Sequence, residues 1–522
     1  MWKSALIVAV ALVVVAIPAL AELQNVQIGG EVHIKGNYIR NWAVKPGPLE
    51  VRLPAFFLPF RPLGMGAFNG PGLVSPYAWN DKTNAVSLVE QRTRLNFKAD
   101  FTNEVSAFIE LESYDIWGED FRSNYVTGAD ARANSVDDVE VYQAYIEADN
   151  MWGIPLRMRV GRQELAFGSQ WLVGPKDFGP WFRGRSFDAL RLTYTHDVFS
   201  VDAWAAILAE GGIAEEDEDV WFYGVYGSYN GIENLTIDAY WMLLRDARSL
   251  NDTNFIAPIE WVEDMLGLDD YDVTNLHTVG LRVAGQYGPV DFDVEAAYQF
   301  GEMDQYGFNA KPFLYGDDSA KADVWGVTAK VGYTLDIMWQ PRIFAEYSFY
   351  QGEDNRDVSF LEWINPFDRP EASVSFNRLF SNQMYSGFLD LNNDFSNGHI
   401  FTVGAMAHPT EAIDVIFNVS YFQADKAFDM PAHVSLLGFD IPIAPALAWW
   451  DDASSKDLGW QTHLILVYHY SEDLTISANW CHLFTGQGLD DGSFNTFNGT
   501  IFSGGSDGDD ADYLCLDAVL SF

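Results

Sequence analysis

The chain has little cysteine, little positive charge and no long apolar run beyond its first residues, and each shortage removes a class of function. Two cysteines, Cys481 and Cys515, among 522 residues exclude a disulfide scaffold or a cluster held by several thiolates. With 31 Lys and Arg against 74 Asp and Glu, the formal net charge is −43, which repels phosphate backbones and sets nucleic acid aside as a ligand. A haem-attaching C-x-x-C-H, a phosphate loop and G-x-S-x-G are all missing, so no enzyme and no cofactor is expected. His433-Val434-Ser435 has the spacing of a membrane phospholipase dyad, but it stands in a long link without an oxyanion partner, and chance accounts for it.

After residue 21 nothing approaches the roughly 18 to 20 consecutive apolar residues that a spanning helix needs. Residues 1–21 run from Lys3 through an apolar stretch, Ala5 to Ile17, to Ala19-Leu20-Ala21. That is the layout of a secretory signal peptide cut before Glu22, leaving 22–522 as a single unit. An exported chain without a spanning helix crosses a membrane only as a closed barrel, because lipid leaves no backbone group a partner outside helices and closed sheets.

Alternation and aromatics are what the sequence has in quantity. In 88–101, Val89, Leu95, Phe97 and Ala99 oppose Glu90, Arg92, Arg94, Asn96 and Lys98, the period of a strand with one apolar and one wet face. Eighteen segments from 26 to 522 repeat this pattern, and short links such as Gly288-Pro289 alternate with long ones. Aromatics make up 15% of the chain, and Trp42, Trp117, Trp152, Trp221, Trp339 and Trp480 fall near strand ends, as interfacial girdles require. The fold expected is therefore an all-β transmembrane antiparallel barrel of about 18 strands, with short periplasmic turns and long extracellular loops. The last strand supports this: Leu514, Leu516, Ala518, Leu520 and Phe522 are apolar at every second position. A soluble sandwich or propeller would have no reason to alternate short and long connections.

The acids concentrate in the long links; residues 210–219 carry Glu210, Glu215, Glu216, Asp217, Glu218 and Asp219 with no base. This reads as a solvated, repulsive rim, or as a surface bridged by divalent cations to lipopolysaccharide. Ser506 to Asp512 offers hard oxygen ligands for Ca²⁺ but lacks the full loop pattern. Parity sends Arg92, Arg94, Arg157, Arg159, Arg191, Arg282, Lys330 and Arg342 to the wet face. It sends Glu90, Glu110, Glu112, Glu147, Asp202, Asp238, Asp293, Glu295 and Glu346 there too. Two readings stay open: an arginine ring that selects anions, or pairs that stiffen the lumen. Cys481 and Cys515 flank the last long link, and a symmetric hairpin would set them nearly opposite on the lumen side, either bridged or as two small unpaired residues. Residues 41–86, with seven prolines, could plug the pore or decorate its outside.

One stretch is more specific. Residues 159–168 read Arg-Val-Gly-Arg-Gln-Glu-Leu-Ala-Phe-Gly and 185–191 read Arg-Ser-Phe-Asp-Ala-Leu-Arg. This resembles the alginate export family of outer-membrane porins, the matching positions being Gly161, Arg162, Gln163, Leu165 and Gly168, then Arg185, Ser186, Phe187, Asp188, Ala189 and Arg191. The resemblance implies an outer-membrane channel of a Gram-negative-type bacterium that passes an anionic solute or polysaccharide through an arginine-containing constriction. Arg92, Arg94, Arg157, Arg159 and Arg191 would form that constriction, with Arg183 and Arg185 from a loop folded inward, and Arg282 and Lys330 further along the wet face. Outer-membrane lipid, lipopolysaccharide and a periplasmic export partner are the associations it implies. Simple parity places Arg162 on the lipid side, so it lies at the rim or a bulge near Gly161 turns it inward. A general or cation-preferring porin, a barrel scaffold for a periplasmic or electron-transfer partner, and a loop-closed adhesin are the alternatives.

Overall fold

The computed structural model describes residues 23–41, 85–101, 104–118, 139–175, 182, 184–210, 219–247, 273–302, 320–352, 357–359, 372–373, 375–390, 395–426, 433–437, 439–442, 455–488 and 509–522. The leader, the proline-rich stretch 42–84, Trp42, Arg183 and most of the acidic links lie outside the described residues.

Eighteen long strands follow one another: β1 (Leu23–Arg40), β2 (Ala85–Phe101), β3 (Val105–Ile116), β4 (Val139–Ala148), β5 (Leu156–Gln163) and β6 (Phe187–His196). Then come β7 (Phe199–Ala209), β8 (Val220–Ile232), β9 (Leu235–Asp246), β10 (Thr274–Tyr287), β11 (Val290–Glu302) and β12 (Ala320–Thr334). The last six are β13 (Arg342–Tyr350), β14 (Gly398–Thr410), β15 (Ile413–Ala424), β16 (Asp457–His469), β17 (Leu474–Thr485) and β18 (Ala511–Ser521). Each pairs antiparallel with its sequence neighbours, and β1 pairs with β18 from Glu31↔Ser521 to Arg40↔Asp512, which closes the sheet. Gly30 and Phe522 add two further backbone hydrogen bonds, 2.9 and 3.0 Å, at the periplasmic end of that seam. Closure leaves no edge, the condition for a sheet in lipid.

The alternation of the sequence maps onto the two faces. Ile28, Ile109, Val294, Val403 and Leu516 point out and are exposed, while Glu110, Asp202, Glu295 and Thr402 point in and are buried. Trp117, Trp152, Trp339 and Trp480 are exposed, consistent with girdles. Tight hairpins such as Tyr287↔Val290 and Ile232↔Leu235 join even to odd strands, and loop length assigns this end to the periplasm. A small second sheet of 357–359, 433–436 and 439–442 lies among the long loops, so His433 to Ser435 is a short strand there rather than irregular chain.

Of the two possibilities for the cysteines, bridged or unpaired, the second holds. Cys481 and Cys515 are both free and buried on the inner face. Cys481 faces Tyr513 and Cys515 faces Asn479, so the hairpin is two residues out of the symmetric register and the thiols sit on a diagonal. Diagonal partners stand ~7 to 8 Å apart at Cα, beyond easy bridging.

An apolar core sits inside the barrel. Leu165, Trp171, Leu172, Val173, Phe376, Phe388, Leu389 and Phe395 are buried against Phe187, Trp204, Phe222, Tyr350 and Phe422 of the wall. The first group comes from two long loops, β5–β6 and β13–β14, that turn into the lumen.

Candidate functional site

The basic residues that parity sends inward do reach the lumen, and there carboxylates meet them. Arg92 donates to Glu31 at 2.7 Å, Arg94 to Glu112 at 2.6 Å and Arg159 to Glu147 at 2.6 Å. Arg157 donates to Asp149 at 2.6 Å and Arg191 to Asp202 at 2.8 Å. Arg282 forks onto Asp293 at 2.9 and 2.7 Å and reaches Asp238 at 2.7 Å. Lys330 lies 3.1 Å from Glu346, and Arg342 holds Asp291 at 2.5 and 2.8 Å. Strand pairing is the cause: register sets Arg94 opposite Glu112, Arg159 opposite Glu147 and Lys330 opposite Glu346 on one face. Of the two readings left open, an arginine ring or stiffening pairs, these strand residues follow the second: each guanidinium or ammonium stands against a carboxylate. Several guanidinium groups also lie over rings, Arg94 4.0 Å from the centre of Tyr142 and Arg159 4.3 Å from that of Tyr145.

Arg185 differs. It precedes β6 on the inward-turning loop, 5.2 Å over the ring of Phe380, and its Nη1 is buried without a hydrogen-bond partner. Among the described residues no carboxylate pairs with it. Burial pushes its pKa down to about 10, with Tyr142 opposing the shift, so it remains cationic at neutral pH. Neighbouring Phe182 stands between Lys35 and Arg92, 4.5 and 4.9 Å from its ring centre.

The two inward loops are joined to each other. Phe380 N–H donates to Leu172 C=O at 2.8 Å, Gly174 N–H to Phe380 C=O at 2.9 Å and Asn382 N–H to Gln170 C=O at 2.9 Å. They are also tied to the wall. The Trp171 indole donates to Tyr350 Oη at 2.6 Å, and the Ser169 hydroxyl to Glu295 at 2.6 Å. Gln299 exchanges hydrogen bonds of 2.6 and 2.7 Å with the Asn377 backbone, and Lys330 donates to Gln383 at 3.0 Å. Within 375–390 the pair Arg378–Asp390, 2.8 Å, is almost wholly shielded from water. This second loop escaped the sequence reading. The signal available was the apolar set Phe376, Leu379, Phe380, Phe388 and Leu389 in a long link that needed none.

The motif residues gather at the root of the first inward loop. Arg162 lies outward at the rim, forked onto Asp188 by two 2.9 Å hydrogen bonds, so the rim placement holds and no bulge in β5 turns it inward. Gln163 is buried and donates to Ala189 C=O at 2.9 Å. Gly161 and Gly168 have φ of +126° and +53°, and Phe187 is buried. At the periplasmic end a polar cavity of about 570 Å³ is lined by Lys98, Asp100, Glu104, Asp149, Arg157 and Thr193 among others. Among the described residues no set of His, Cys, Asp or Glu is arranged to hold a metal ion. Of the possible Ca²⁺ stretch, residues 506–508 lie outside the described residues; Asp510 and Asp512 flank His482, Asp512 at 2.6 Å.

The sequence profile described as alginate export matches residues 80–498. The chain belongs to the alginate export family. Family and closed barrel together make it an outer-membrane channel protein. No curated protein matches the sequence. Among solved structures, OccK8 (OprE) of Pseudomonas aeruginosa is 13% identical over 95% of this chain and 98% of its own, with a TM-score of 0.46. OccK11 (OpdR) of the same organism is 9% identical over 95% and 96%, with a TM-score of 0.48. An anion-selective porin from Comamonas acidovorans is 10% identical over 95% and 99%, with a TM-score of 0.38.

Proposed function

We propose that this alginate export family member passes anionic solutes, with Arg185 as the group that senses their charge. The observation that carries this reading is the uncompensated guanidinium of Arg185, placed on an inward loop where the strand arginines are already neutralised. A carboxylate arriving there meets a cation that no carboxylate among the described residues holds, so recognition costs no exchange with them. Strand pairs such as Arg94–Glu112 and Arg159–Glu147 then offer a second kind of contact, in which a passing carboxylate competes with Glu for the same guanidinium. Retention stays brief because the alternative partner is always at hand, as conduction requires. Uronate polymers and small carboxylates share this chemistry. A second reading, a general or cation-preferring pore, is favoured by the neutralised strand arginines and the acidic long links.

Planar-bilayer recording under a salt gradient separates the two. A reversal potential of anionic sign that collapses in Arg185→Ala supports the proposal, and block by added polyuronate extends it to polymers. A cationic reversal potential in the unaltered protein rejects it and leaves the general pore.

A further inference from the structure

We infer that the shared motif is a docking clamp for the first inward loop, with Arg162 and Asp188 as positioning residues that control conduction without touching the solute. The described part of the first inward loop, 164–175, leaves the wall at Gln163, and the chain rejoins it at Phe187 after 184–186, with the motif residues surrounding those two points on both faces of the sheet. Outside, Arg162 and Asp188 face each other in register across β5 and β6, joined by a bidentate pair of 2.9 Å bonds. Inside, Gln163 reaches across the same two strands to the Ala189 carbonyl at 2.9 Å. One strand pair is thus tied from the membrane side and the lumen side within two residues of the point where the chain departs.

The next residues turn that fixed exit into a fixed course. Tyr142, the extra residue of a bulge in β4, donates to Glu164 at 2.6 Å, and Gln143 accepts from the Glu164 N–H at 3.2 Å. Leu165 is fully buried, and Phe167 stacks on Trp204 and Tyr226 at 4.3 and 5.3 Å. Gly168 then takes a left-handed φ beneath Tyr226, where a Cβ would overlap the phenol hydroxyl. Ser169 closes the sequence on Glu295. Arg162, Gln163, Leu165, Gly168 and Asp188 of the motif therefore set the pose of the loop, and Arg185 leaves the same clamp at its other side. A carboxylate–guanidinium fork confers orientation as well as attraction, which suits a hinge that must not swing.

This inference rests on the reading of the lumen as a conducting path, and the test keeps the two apart. Arg162→Gln and Asp188→Asn remove one charge each, on the outer face of the wall. In planar bilayers each is expected to raise single-channel conductance roughly twofold, to add open-channel noise and to weaken ion preference, because a loosened loop obstructs less. The exchanged pair Arg162→Asp with Asp188→Arg should return conductance and noise toward the unaltered protein, and Gly168→Ala should reproduce the single variants. Folded barrel content is read in parallel from the heat-sensitive electrophoretic mobility. Lower thermal stability with unchanged conductance, noise and selectivity in both single variants would reduce the pair to a rim staple and overturn the inference. So would variants that give no folded barrel, since the pair would then serve the wall and not the loop. A silent unaltered protein would count against the conducting path, whereas silent protein with conducting variants would still support the clamp.

Discussion

Two arginines inside this barrel illustrate how little a residue type says without its partners. Arg378 and Asp390 are 2% and 0% exposed, and the guanidinium is also close to Ser381 and the Gln383 and Phe395 carbonyls. Replacing Arg378 by Met leaves the buried Asp390 carboxylate without its cation, held by the Tyr385 and Phe395 N–H groups, which costs ~3 to 5 kcal/mol. Arg378→Met with Asp390→Asn, which keeps an acceptor for those donors, should recover most of it. Denaturant unfolding in detergent reads the stability, and equal losses in the single and double variants would refute the buried-pair account. Arg185 is the opposite case, a cation that no carboxylate among the described residues meets. Its pKa of about 10 lies below the ordinary arginine value, so its charge is lost as pH rises through that point. Anion preference in the unaltered protein should therefore fall between pH 9 and 11, about two units before an ordinary arginine would titrate. The sign for stability is the reverse. Between the folded and unfolded pKa values the unfolded chain binds more protons, so this group's contribution improves as pH rises through that window. Arg185→Ala should lack the step in the pH series of reversal potentials.

At the level of strands and loops, the sequence announced the wall and concealed the filling. Eighteen alternating segments predict eighteen strands, and β1 to β18 supply them. Alternation succeeds because burial against lipid on one side and water on the other is a local demand that every strand meets separately. Register is less local. The Cys481 and Cys515 expectation assumed a symmetric hairpin, but a long connection fixes no register, and the pairing follows the rest of β17 and β18. Pairing partners of the strand arginines were likewise invisible until neighbours were in register, although the acids on the same face were evident. The bulge at Tyr142 shifts β4 by one residue, and no turn residue marks it. Inward loops are hardest of all, because their aromatic residues follow neither strand nor helix period. Gly161 supplies a check at this level: its φ of +126° and the adjoining Ala144 carbonyl leave no room for a side chain. Gly161→Val should depress the yield of folded barrel and cost ~1 to 3 kcal/mol, and normal folding would show that β4 and β5 can part there without loss.

For the molecule as a whole, wall and filling are separable. Backbone pairing runs unbroken around the circle, and segment 375–390 adds side-chain and loop hydrogen bonds on top of it. Replacing 375–390 by a flexible Gly-Ser linker should keep the heat-sensitive mobility of a closed barrel while raising conductance several-fold, since the obstruction leaves and the sheet stays. Loss of the barrel would mean that the filling props the wall.

Closure between β1 and β18 also imposes a timetable. His33 and Asp517, 2.7 Å apart across the lumen side of that seam, are separated by 484 positions in the chain. The first strand must therefore wait, with one flank unpaired, until nearly all of the polypeptide has been delivered, and no partial sheet can rest in hydrocarbon meanwhile. A chain cut short before β18 therefore gives no shorter working pore, because β1 is left without the partner that closes the sheet.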